Sequence, residues 1–117
     1  MCGYAGFYLN HKNTSQVEME KTITKMANSL EHRGPDDLGI WLDSNKPIAF
    51  GHRRLSIVDI SASGHQPMTS SNNKYVMAFN GEIYNHTQLR KELDSINSDL
   101  NWNGHSDTET LLAGFEV

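Results

Sequence analysis

The sequence has 117 residues, 37% of them hydrophobic and 21% charged, with a formal net charge of −4. That length fits one domain at most, or part of one. The acidic balance, with no basic run longer than Arg53-Arg54 or Arg90-Lys91, excludes a surface built to neutralise nucleic-acid phosphates or anionic lipid.

Cys2 is the single cysteine, which rules out an intrachain disulfide and any zinc framework built on several thiols. The six histidines include no i, i+4 pair, so no metal-ligand pattern is present. There is no basic segment leading into an apolar run, as a signal peptide requires, and no apolar stretch long enough to span a bilayer. A reducing cytoplasm is the expected compartment.

In chain order, Cys2 to Leu9 mixes glycine, aromatic and small apolar residues and reads as a strand, with Gly3 and Gly6 pointing to close backbone or ligand approach. After a polar loop, Met19, Ile23, Met26, Ala27 and Leu30 share one face of an amphipathic helix. "HRGPDD" should end it, with Gly34 as the C-terminal cap and Pro35 preventing continuation. "LGIWL", "IAFGHRRLSIVDI" and "KYVMAFN" read as strands between turn residues. Two helices follow: one places Leu89, Leu93 and Ile96 together, and the other begins with a capping box, Ser106 and Glu109, ahead of Leu111, Leu112 and Phe115. The sequence stops inside this last amphipathic segment, the pattern expected of a piece of something longer. Strands grouped centrally with helices around them fit a layered α+β architecture better than alternating βαβ units.

Several stretches could carry chemistry. A terminal cysteine is more often a frayed residue without a role. At this position, however, loss of Met1 would place thiol and α-amine on one residue, and a free amine can accept the thiol proton. Asn80-Gly81 is a strong hairpin signal. At a strand end, the Asn80 amide and the Gly81 N–H could equally converge on an oxyanion, and the helix-like continuation "EIYNHTQLRKEL" weakens the hairpin reading without removing it. Arginines at a strand start are usually solvated edge charges, which is the reading for Arg53, yet a guanidinium fork also suits a carboxylate ligand. Asp107, in the first turn of the last helix, is explained by the helix dipole and could also accept from an ammonium group. His65 and Gln66 of "SGHQPM" read as loop structure, and Asp36-Asp37 as a turn.

Taken together and in order, "MCGYAGFY", "HRGPDD", "GHRRLSIVDIS", "SGHQPM", "NGEIYNH" and "SDTETLL" resemble the glutamine amidotransferase domain of asparagine synthetases, the class II or N-terminal-nucleophile type, from residue 2 to about residue 115. The resemblance implies the N-terminal portion of an αββα four-layer sandwich, with the rest of that domain and the synthetase domain absent. It implies Cys2 as nucleophile after loss of Met1, and Asn80 and Gly81 as the oxyanion hole. It further implies Arg54 on the α-carboxylate of glutamine, backbone of the segment ending in Ile57 and Val58 along the substrate, and Glu82 and Asp107 on its α-ammonium. Arg53 has no such role. Glutamine would be hydrolysed to glutamate and ammonia through a Cys2 thioester. No cofactor is expected in this segment; ATP and Mg2+ belong to the missing synthetase domain. The implied partners are L-glutamine and that C-terminal domain, which supplies the ammonia acceptor aspartate, with a homo-oligomer left open. Two other readings stay open: another class II amidotransferase with a sugar-phosphate or phosphoribosyl acceptor, and a non-catalytic binding or structural module. Tyr4 departs from the aliphatic residue usual behind Cys-Gly and is expected to alter packing beside the nucleophile.

Overall fold

The computed structural model of the chain describes residues 2–9, 14–56 and 61–117. Met1 and two expected substrate-lining residues, Ile57 and Val58, lie outside the described residues. The architecture is α+β. Strand β1 (Gly3–Tyr8) is followed by helix α1 (Gln16–Asn28), strands β2 (Asp37–Leu42) and β3 (Ile48–Arg54), a short 3-10 turn at Ala62–Gly64, strands β4 (Met68–Thr69) and β5 (Val76–Met77), and helices α2 (His86–Ile96) and α3 (Asp107–Glu116). The first three strands form an antiparallel sheet in the order β1-β3-β2, and β4 pairs with β5.

Helix α1 starts where Ser15 accepts the Glu18 N–H, at 3.2 Å. It buries Met19, Ile23 and Ala27 against the sheet, where Ala49 is also fully buried and Ala5, Phe7, Ile40 and Leu42 pack around them. The helix ends earlier than the apolar spacing indicates. Ser29, itself in right-handed helical backbone, caps it, so Leu30 follows in a turn. Among the described residues no glycine has a positive φ, so Gly34 is not a left-handed cap. Its small size serves packing instead: a Cβ there would lie 2.3 Å from the Arg53 carbonyl.

Strand β3 is shorter than "IAFGHRRLSIVDI" implies, because side chains take its next backbone donors. The Leu55 N–H points to Cys2 Sγ at 3.2 Å and the Ser56 N–H to Asp36 Oδ2 at 2.9 Å. "KYVMAFN" contributes only the two residues of β5. The Phe79 N–H goes to Gln66 Oε1 rather than to a neighbouring strand.

Along β3, side chains alternate between faces. Ala49, Gly51 and Arg53 share the face covered by α1, where Arg53 donates from Nε to the Gly34 carbonyl at 2.9 Å and lies 3.5 Å from Glu31. Arg53 lies near the end of β3 and is 8% exposed, so it is not the solvated edge charge expected of an arginine at a strand start. On the other face of the sheet, Tyr4, Tyr8 and Phe50 join Tyr75, Leu112 and Phe115 along an apolar groove of about 700 Å³. Tyr4 lines this groove, on the same face of the sheet as Cys2 two residues earlier.

Helix α2 buries none of its own residues, and Ile96 is 70% exposed. What fixes α2 to α3 is Arg90. It donates to Thr110 Oγ1 at 2.8 Å and to the carbonyls of Gly104 and Ser106 at 2.7 and 2.8 Å, and its guanidinium lies 4.2 Å from the Trp102 ring centroid. Ser106 caps α3 by accepting the Glu109 N–H, while the Glu109 carboxylate receives the N–H groups of Asn103 and Gly104. This brace holds the start of α3, and with it Asp107. Arg90→Met is expected to lower stability by about 2–3 kcal/mol, because buried acceptors lose a charged donor. Urea unfolding of the two proteins measures the difference, and a change within error would contradict the role given to Arg90.

Candidate active site

The registry of β1 on β3 sets Gly3 opposite Arg53. One residue earlier, Cys2 therefore falls beside Arg54 and Leu55, on the sheet face opposite α1. Its Sγ lies 3.2 Å from the Leu55 N–H, which donates to it, and 3.5 Å from the Leu55 carbonyl. Arg54 points to the same side, 7% exposed, with Nη1 donating to the Ser61 carbonyl at 2.6 Å. The period of two that turns Arg53 under the helix is what turns Arg54 towards the cysteine.

A cavity of about 350 Å³ opens here. Its lining includes six of the eight residues that the sequence singles out: Cys2, Arg54, Asn80, Gly81, Glu82 and Asp107. Leu55, Gly64, Gln66, Phe79, Tyr84, Ser106 and Thr108 complete it. Asn80 and Gly81 lie in irregular chain between β5 and α2, with no return strand after them, so they do not form the tip of a hairpin. Asp107 is 7% exposed and accepts the Ile83 N–H on Oδ2 at 2.8 Å. One guanidinium and two carboxylates in the wall of a small cavity suit a ligand that carries both a carboxylate and an ammonium group.

Sequence reasoning missed Gln66, read there as loop structure. It is in a loop, but it is 6% exposed, its Oε1 accepts the Phe79 N–H at 2.6 Å, and its Nε2 donates to Thr108 Oγ1 at 3.1 Å. Spacing carries no sign of this, since its partners lie 13 and 42 residues away. His65 pairs with Asp37 Oδ2 beside it.

His52, two residues before Arg54 on the same strand face, is 1% exposed. Its Nε2 sits 3.1 Å from the Phe79 carbonyl, which can only accept, so Nε2 carries the proton. Nδ1 has no hydrogen-bond partner among the described residues. Burial pushes the His52 pKa below its ordinary 6.5, against the opposing pull of the Phe79 carbonyl.

The sequence matches the glutamine amidotransferase domain family over residues 1–117. The chain belongs to this family. It is 40% identical to asparagine synthetase (glutamine-hydrolyzing) 1 of Bacillus subtilis over 115 residues, which are 98% of this chain and 17% of that protein. Asparagine synthetase B (glutamine-hydrolyzing) of Escherichia coli is 38% identical over 116 residues, 99% of this chain and 20% of that protein. Amidase chry2 of Gibberella zeae is 31% identical over 121 residues, 97% of this chain and 17% of that protein. The chain thus spans about a fifth of the length of these curated relatives. No helix among the described residues is long and apolar enough to cross a membrane.

The histidine makes a pH signature measurable. Its folded pKa lies below the unfolded value, so the unfolded chain binds the extra proton first on acidification. The stabilisation from neutral His52 is fully present above about pH 6.5 and is lost as pH falls towards and through the folded value. Unfolding free energies at about pH 7.5 and about pH 5 should therefore differ more in the wild type than in His52→Gln. An equal difference in both proteins would exclude His52 as the titrating group.

Proposed function

We propose that this segment is the glutamine-hydrolysing half of a glutamine-dependent amidotransferase, with Cys2 as its nucleophile. What carries the reading is the convergence of Cys2, Arg54, Asn80, Gly81, Glu82 and Asp107 on one cavity, in a chain that belongs to the glutamine amidotransferase domain family. In this reading Arg54 holds the α-carboxylate of L-glutamine, and Glu82 and Asp107 hold its α-ammonium, with the segment ending in Ile57 and Val58 alongside. The side-chain amide then points to Cys2.

With Met1 removed, the α-amine of Cys2 takes the thiol proton and the sulfur attacks the amide carbon, forming a C–S bond as the carbonyl electrons move to oxygen. The Asn80 amide and the Gly81 N–H stabilise that oxyanion. Collapse of the intermediate breaks the C–N bond, and the proton held by the amine goes to the departing nitrogen as ammonia. The γ-glutamyl thioester that remains is hydrolysed by water to glutamate, which frees the thiol.

The names of two relatives, both glutamine-hydrolyzing asparagine synthetases, support aspartate as the ammonia acceptor; the family resemblance implies that a C-terminal synthetase domain using ATP and Mg2+ would supply it. The remainder of an αββα four-layer sandwich would follow the segment described here. The apolar groove between Tyr8, Phe50 and Phe115 is compatible with further strands packing on that face.

A polypeptide carrying this segment with Cys2 as its first residue is expected to release ammonia from L-glutamine. Cys2→Ala should abolish this, and Asn80→Ala should lower kcat by about 100–1000-fold. Intact mass reports whether Met1 is gone. Ammonia release that survives Cys2→Ala would overturn the assignment.

A further inference from the structure

We infer that Gln66 and His52 are positioning residues that clamp the peptide groups of Phe79 and so set the arm bearing Asn80 and Gly81. The inference rests on the glutaminase reading for its consequence in catalysis, but its geometry stands independently. Phe79 immediately precedes the arm. Its N–H is taken by Gln66 Oε1 at 2.6 Å and its carbonyl receives the His52 Nε2 proton at 3.1 Å. Both backbone polar groups of one residue are thus held by side chains from different elements, one from β3 and one from the loop before β4.

The far end of the arm is held as well. Ile83 donates its N–H to Asp107, and the next residue, Thr108, receives the second hydrogen bond of Gln66. Asn80, Gly81 and Glu82 therefore span between two anchors that both lead back to the N-terminus of α3. The anchoring side chains are 1% (His52), 6% (Gln66), 7% (Asp107) and 3% (Thr108) exposed. Phe79 itself is half-buried in the cavity wall, and removal of either side chain takes away the protein partner of one of its peptide groups.

Gln66 is seated by close backbone contact: a Cβ on residue 39 would fall 1.6 Å from its carbonyl oxygen, so Gly39 on β2 is needed where it stands. Both ends of the Gln66 amide are engaged by protein, so the residue is fixed to the arm at Phe79 and to α3 at Thr108. An oxyanion hole requires donors fixed before the charge develops, and a displacement of about 1 Å can cost about 100-fold in rate.

Amide hydrogen exchange on the wild-type chain tests the clamp directly. Phe79 and Ile83 should exchange at least about tenfold more slowly than Asn80 and Gly81, whose N–H groups have no acceptor among the described residues. Equal rates would overturn the inference whether or not the protein hydrolyses glutamine. In the glutamine-hydrolysing polypeptide, Gln66→Leu should lower kcat about 100-fold with KM within about threefold. His52→Leu should also lose kcat, and His52→Gln, which retains an N–H donor, should recover much of the loss. A rise in KM at unchanged kcat would make Gln66 a ligand contact and overturn the positioning role. If the wild type releases no ammonia, the glutaminase reading fails, while the exchange pattern still decides the clamp.

Discussion

The antiparallel pairing of β1 with β3 is the constraint on which everything else hangs. Gly3 lies opposite Arg53, and this brings the start of the chain beside residues fifty positions later. That single register places Cys2 against Leu55, sends Arg54 to the cysteine side and sends Arg53 under α1. A slip by one residue would exchange the two arginines between faces, since side chains on a strand alternate with a period of two. The cavity would then lose its guanidinium, and a charge would instead enter the apolar contact between α1 and the sheet.

The second feature is how much polarity the site side of the sheet buries. His52, Arg54, Gln66, Ser106, Asp107, Thr108 and Thr110 are all nearly inaccessible, whereas the main apolar cluster, apart from buried Leu112 of α3, is Met19 and Ile23 with their neighbours under α1. Buried polar groups destabilise a fold unless they are hydrogen-bonded. Here they are bonded to one another and to backbone, through Gln66 to Phe79 and Thr108, and through Arg90 to the α2–α3 connection. These bonds hold an irregular segment, Phe79 to Ile83, without the ladder of a strand or the spiral of a helix. The exception is His52 Nδ1, which has no partner among the described residues and keeps the ring neutral by the cost of charging it there.

Several local elements could be read from short spacings. The α1 face follows from Met19, Ile23 and Ala27, its start from Ser15 is a local hydrogen bond, and the Ser106 cap of α3 is likewise local. Where the reading departs from the structure, the deciding contact is remote in sequence. Gly34 owes its place to the Arg53 backbone, β3 ends because Cys2 and Asp36 take its donors, and Gln66 meets Phe79 and Thr108 across the fold. None of these leaves a periodic trace, because a side chain bonding to a distant peptide group requires no particular neighbour.

By itself the sequence determined which chemistries were available: a thiol at position two, a guanidinium in a β-favouring run, an Asn-Gly pair and a carboxylate at a helix start. Motif order also carried the family, because those stretches are long and specific. Only the tertiary structure decided that Cys2, Arg54, Asn80, Gly81, Glu82 and Asp107 share one cavity. It also decided that Arg53 is buried under α1, and that Gln66 and His52 hold the loop between them. The reason is physical: composition and local spacing follow from covalent order, whereas convergence follows from strand register and buried hydrogen bonding. Those are settled only when the whole sheet, helix and loop pack together.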